Sequence, residues 1–188
     1  ELARALIERG ALPRARAAEH DLRAIAWALK DECYAAWSSE PARTVKAADA
    51  LRSLCPPFGD ELSPNDIEIH ALAEWTAGIA CLTRGRIDDA VHCLDRAHDG
   101  FRGLRQAAHA AATQVPKIMG LSLLGRYDEA IASAERAHSE LVALGDRRAA
   151  GKVSLNLGAL HETRGAYAEA ARHARDAAVE RATPRGRA

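Results

Sequence analysis

LLGRYDEAIASAERAH, from Leu123 to His138, decides the reading of this chain, because the stretch recurs in altered form at one fixed distance on either side. Upstream, Thr83 to His98 reads TRGRIDDAVHCLDRAH; downstream, Thr163 to Ala178 reads TRGAYAEAARHARDAA. Aligning Gly85, Gly125 and Gly165 gives two successive spacings of 40 residues. The same columns hold Ile87, Tyr127 and Tyr167, then Ala90, Ala130 and Ala170, then Ala97, Ala137 and Ala177. A period of roughly 20 to 50 residues marks a stacked-repeat protein, in which one supersecondary unit cannot bury its apolar face alone and its neighbour covers it.

Outward from that stretch, composition agrees. The 188 residues suffice for one compact domain or one run of stacked units, and they are rich in alanine and poor in aromatics. Alanine has the best helix propensity and lets helices approach closely, so the expected class is all-α. Acidic and basic residues balance at 26 each, which removes the basic footprint of a nucleic-acid or membrane-surface binder. Cys33, Cys55, Cys81 and Cys93 form no CxxC pair and lie in segments that read as helix, which predicts small buried apolar side chains in a reducing compartment. No apolar run approaches the roughly 20 residues that cross a bilayer, and ELARALIERG is too charged for a signal peptide. These features predict a cytoplasmic location. Beginning at Glu1 rather than methionine, the chain reads as a piece of something longer.

Taken in order, residues 1–12 predict a short amphipathic helix through Leu2, Leu6 and Ile7, stopped around Gly10 to Pro13. Residues 13–56 predict a divergent helical hairpin, with helices from about Arg16 to Trp37 and from Pro41 to Leu54, broken at Ser38-Ser39-Glu40-Pro41. Residues 57–63 form a linker. Ser63-Pro64-Asn65-Asp66 combines a serine N-cap, proline at N1 and an acid at N3, which starts the next helix. Residues 64–182 then hold three units: one turning at Gly85, a second from about Leu104 turning at Gly125, and a third from Arg147 turning at Gly165. Residues 183–188 are expected to be a non-structural tail. Pro116, inside the first helix of the middle unit, predicts a bend within one turn, at a cost of roughly 3 kcal/mol.

The columns resemble the tetratricopeptide repeat: a small residue seven before the turn glycine (Gly78, Gly158), then alanine at five and twelve after it. Leu157-Gly158 with Gly165, Tyr167, Ala170 and Ala177 is the best copy. Departures are Ile118 in the small-residue column, Cys81 and His161 in the aromatic column, and no proline ending the units. The 40-residue period is similar to that of kinesin-light-chain-like and bacterial regulatory arrays. Ala24 to Leu51 also resembles the segment opening the repeat array of bacterial proteins that carry a caspase-like CHAT protease domain, and no protease residues accompany it.

What the resemblance implies is an α-α superhelix, a solenoid of antiparallel hairpins whose first helices line a concave peptide groove. The groove columns would hold Trp75, Val115 and Leu155, then Ile79, Met119 and Ala159, with Leu82 and Glu162 further along. Methionine and aromatic residues are overused at recognition surfaces, although an apolar helix face is also what ordinary core packing produces. Lys152 and Asn156 are the only groove donors for a peptide carboxylate, too few for a carboxylate clamp.

Chemistry other than binding finds little support. His98 and His138 share a column and read as part of the repeat pattern; His92 and Cys93 are adjacent and point to different faces. His70 and Glu74 have the i, i+4 spacing of metal ligands without an evident third. No serine elbow, catalytic cysteine motif or phosphate loop occurs. The expectation is a non-enzymatic scaffold for a protein or peptide partner, in a larger bacterial protein, with no cofactor and no metal. The alternatives are a ligand- or peptide-sensing regulatory domain and a purely structural spacer. Ala170, Ala174, Ala177 and Ala178 in the C-terminal helix predict a stacking face for further repeats, a partner or a second copy.

Overall fold

The computed structural model describes residues 2–9, 22–57 and 62–182. Helices account for almost all of them, and no strand occurs among the described residues. In chain order the helices are α1 (Leu2–Arg9), α2 (Leu22–Ala36), α3 (Pro41–Leu54), α4 (Pro64–Thr83), α5 (Ile87–Gly103), α6 (Ala107–Leu123), α7 (Tyr127–Ala143), α8 (Arg147–Thr163) and α9 (Tyr167–Ala182). They form two compact units, Glu1–Arg105 and Gln106–Ala188. The expected stop at Gly10 to Pro13, the start of the next helix before residue 22, most of the linker and the tail at 183–188 lie outside the described residues.

Helices α5 to α8 are each 17 residues long, joined by three-residue turns, so the backbone repeats at half the sequence period. The turns are left-handed. Gly85, Gly125, Gly145 and Gly165 have φ between 72° and 77°, a region where a Cβ collides with the backbone. Each closes its helix with paired hydrogen bonds. At Gly125, the Arg126 amide donates to the Leu121 carbonyl at 2.9 Å and the Gly125 amide to the Ser122 carbonyl at 3.0 Å. The same pair recurs at Gly85, Gly145 and Gly165, satisfying carbonyls that a helix end leaves orphaned.

A fifth turn in the series has no glycine. Arg105 takes φ 57°, so α6 begins at Ala107 rather than near Leu104. That is a correction to the sequence reading, which had only glycine as a marker. The start of α4 is as expected: Ser63 Oγ accepts from the Asp66 amide at 3.2 Å, and Asp66 accepts from the Ser63 amide at 3.0 Å. Pro116 is buried inside α6, which continues unbroken on both sides of it.

In the first unit α4 is the central helix, contacted by α2, α3 and α5, while α1 packs on α2 and α3 through Leu6 and Ile7. A Cβ on Gly78 would come within 2.6 Å of Leu94 Cγ, so the glycine sets how closely α4 and α5 approach. Five of the chain's eight aromatic residues cluster here. Trp75 meets Tyr34 and Phe101 edge-on, each at 5.8 Å between centroids. Lys30 lays its ammonium 4.7 Å from the Trp75 ring centroid and 5.0 Å from that of Tyr34, a largely buried cation held by ring faces.

In the second unit α6, α7, α8 and α9 stack in sequence. Its core is built from small side chains: Ala130, Ala134 and Ala150 are fully buried, with Leu121, Leu141, Val153 and Leu157 between them. Antiparallel hairpins stacked side by side are therefore the architecture within each unit.

The turn geometry is testable. Nothing lies within 4 Å of a Cβ built on Gly125, so Gly125→Ala carries only the backbone penalty. We expect a loss of about 1 kcal/mol in urea denaturation, whereas Arg105→Gly should shift stability upward by a smaller amount.

Candidate functional site: an exposed apolar face

Trp75, Ile79 and Leu82 were expected to line a groove, and the structure places all three in the core of the first unit. Their exposures are 3%, 0% and 8%. The reason is local: α4 is apolar around most of its circumference, and α2 covers the face that a simple hairpin would leave open. Leu82 packs with Cys81 and Ala90 against Trp37 and Ile87. No ligand reaches these side chains without displacing core.

The second unit differs. Met119 on α6 is 38% exposed and Leu155 on α8 is 43% exposed. Lys152 is exposed one turn before Asn156, and Val115 is half-buried beneath it. The Asn156 side-chain amide donates to the Val115 carbonyl at 3.4 Å, so the structure brings these two together across α6 and α8. Asn156 is engaged within the fold rather than presented as one arm of a carboxylate clamp. Every exposed large apolar side chain among the described residues belongs to this unit: Leu123, Val142, Leu144, Tyr167 and Val179 join Met119 and Leu155.

Next to Leu155 the surface of α8 and α9 opens into a hollow of about 430 Å³, lined by Leu155, Ala159, Glu162, Tyr167, Ala171 and Ala174. Its floor is close-packed, because a Cβ on Gly158 would sit 3.4 Å from the Ala170 carbonyl oxygen. Of the four alanines expected to form a stacking face, Ala177 is instead 1% exposed and turned into the unit. Ala174 and Ala178 are exposed and Ala170 is half-buried.

Titratable groups are mostly committed to the fold. Buried Glu68 on α4 accepts from Arg23 Nε at 2.7 Å, Arg23 Nη2 at 3.0 Å and the Trp27 indole at 2.8 Å. Buried Glu180 on α9 meets His138 Nε2 at 2.8 Å and accepts from Ser154 Oγ at 3.0 Å, tying α7, α8 and α9 together. Neither carboxylate was singled out from the sequence, where both stand in ordinary helical context. His138 thus serves packing, as its column suggested, while His98 is half-buried elsewhere. Glu74 pairs with Arg96 at 2.7 Å rather than sharing a ligand with His70. His92 is exposed and Cys93 buried, on different faces.

Burial pushes the thiols up, Cys33 to about 12 and Cys55 and Cys93 to about 11, so these three are protonated at neutral pH. Among the described residues no group of three or more histidine, cysteine or acidic side chains is arranged to hold a metal ion. No described helix is long and apolar enough to cross a membrane.

His161 and His173 stack face to face at 5.3 Å, 8° from parallel. Burial, then Arg172 and His161, lower the proton affinity of His173, with Asp176 opposing. A histidine whose folded pKa is depressed takes up more protons when unfolded, so its contribution to stability falls as pH drops through the unfolded value near 6.5. Thermal denaturation from about pH 7.5 to about pH 5.5 should therefore show a falling Tm, with a shallower fall in His173→Gln.

Comparison of the chain with protein-family models, with curated proteins and with solved structures finds no match.

Proposed function

We propose that this chain is a tetratricopeptide-like interaction scaffold, the docking array of a larger bacterial protein, which holds a protein or peptide partner against α6 and α8. The observation that carries this reading is the confinement of exposed large apolar side chains to the second unit. Exposing Met119 and Leu155 on packed neighbouring helices leaves apolar area in water, at about 25 cal/mol per Å², that a partner would cover. Val115 supplies the half-buried floor, and Lys152, exposed beside Leu155, offers a cation at the rim. Four free cysteines accord with a reducing, cytoplasmic setting. For the first unit, burial of Trp75, Ile79 and Leu82 favours the spacer reading, in which α2 to α5 serve as a support.

Partner capture from the host, followed by affinity measurement on variants, tests this assignment. Met119→Glu and Leu155→Glu should keep the wild-type melting temperature, since both side chains already face water, and should weaken binding by about 1–2 kcal/mol each. Trp75→Ala should instead cost about 3–5 kcal/mol of folding stability. Unchanged affinity in both glutamate variants would falsify the assignment of the groove to α6 and α8.

A further inference from the structure

Three side chains of α2, Trp27, Lys30 and Tyr34, stand at i, i+3 and i+7, which puts them on one face of the helix with the lysine between two rings. Helix α2 packs on α4, where Trp75 supplies a third ring. The Lys30 ammonium lies 4.7 Å from the Trp75 ring centroid, 5.0 Å from that of Tyr34 and 5.4 Å from that of Trp27. Tyr34 and Trp75 stand at 86° to each other, so two of the walls meet as a corner. Each wall is held by something other than Lys30. The Trp27 indole donates to buried Glu68 at 2.8 Å, Trp75 meets Phe101 edge-on, and Tyr34 meets Trp37 in the same way.

Ring faces attract positive charge but are weak hydrogen-bond acceptors. A primary ammonium has three N–H donors and holds its water strongly. Among the described residues Asp31 Oδ1 accepts from the Lys30 ammonium at 3.2 Å, and the Asp31 side chain is itself 72% exposed. A trimethylammonium group carries the same charge with no donor to satisfy, so the three rings hold it at a smaller desolvation cost. Lys30 is able to give way. Its side chain is 16% exposed, and a flexible four-carbon stem lets the ammonium move out into water. A cation then reaches the Trp75 face in place of Lys30, with the apolar core left as it is. We propose that Trp27, Tyr34 and Trp75 form a binding site for a trimethylammonium group, with Lys30 as the internal cation that the ligand displaces. The site lies in the first unit and is independent of the scaffold reading.

The probes are choline and the Nα-acetyl amide of trimethyl-lysine, which distinguish a free small molecule from a modified side chain as the source. Each is titrated into the full chain at constant ionic strength. Tryptophan fluorescence reports binding, since two of the three tryptophans are walls of the cage. We expect saturable quenching by at least one probe below about 10 mM, and none by the neutral isosteres in which carbon replaces the quaternary nitrogen. Lys30→Gln, which removes the internal competitor, should tighten binding at least about fivefold. Lys30→Arg, which keeps a cation there, should not. Circular dichroism checks that both variants retain their helices; if Lys30→Gln does not fold, the wild-type contrast between probe and isostere decides the question without it. The proposal is overturned if the wild type responds to neither probe, if an isostere quenches as its probe does, or if folded Lys30→Gln binds no more tightly than the wild type.

Discussion

Everything in this chain depends on a three-residue turn that must enter left-handed backbone space. With φ above 70° at Gly85, Gly125, Gly145 and Gly165, each helix stops, caps its own carbonyls and reverses direction. An L side chain there costs of the order of 1 kcal/mol, yet Arg105 accepts that cost at the equivalent step. Fixed turns and fixed helix lengths together set the register, so a given column falls on the same side of its helix in successive hairpins. Alanine at five and twelve residues past the turn glycine follows from this, because those positions lie on the inner side of the returning helix.

The two units fill their interiors differently. The first uses large rings around Trp75 and closes α4 on several sides, leaving no exposed large apolar side chain among its described residues. The second uses alanine, glycine and single aliphatic residues, which bring helices close but leave the outer columns of α6, α8 and α9 uncovered. Apolar side chains at matching columns are therefore core in one unit and surface in the other. The difference follows from α2, an extra layer on α4.

Buried carboxylates act as cross-links between helices. Glu68 joins α4 to α2, and Glu180 joins α9 to α7 and α8. A buried charge is tolerated only when its lone pairs are occupied, and both carboxylates have both oxygens engaged. Such contacts add little net stability against an apolar alternative, but they penalise any stacking in which the partner helix is shifted.

Reading the residues in order was enough to recover the all-α class, the hairpin units, the glycine turns and the Ser63 cap, because each is a local constraint written in one or a few neighbouring positions. Helix termini shifted by a few residues where the signal was absent, as at Arg105. The groove residues divided. Val115, Met119, Leu155, Lys152 and Asn156 lie at or near the surface of the second unit, whereas Trp75, Ile79 and Leu82 are interior. Column periodicity says that a helix has an apolar stripe; it is silent on how many neighbours cover that stripe. Burial of Trp75, the clamps at Glu68 and Glu180 and the open hollow beside Leu155 were settled by packing between helices distant in sequence, where covering a surface depends on what arrives from elsewhere in the chain.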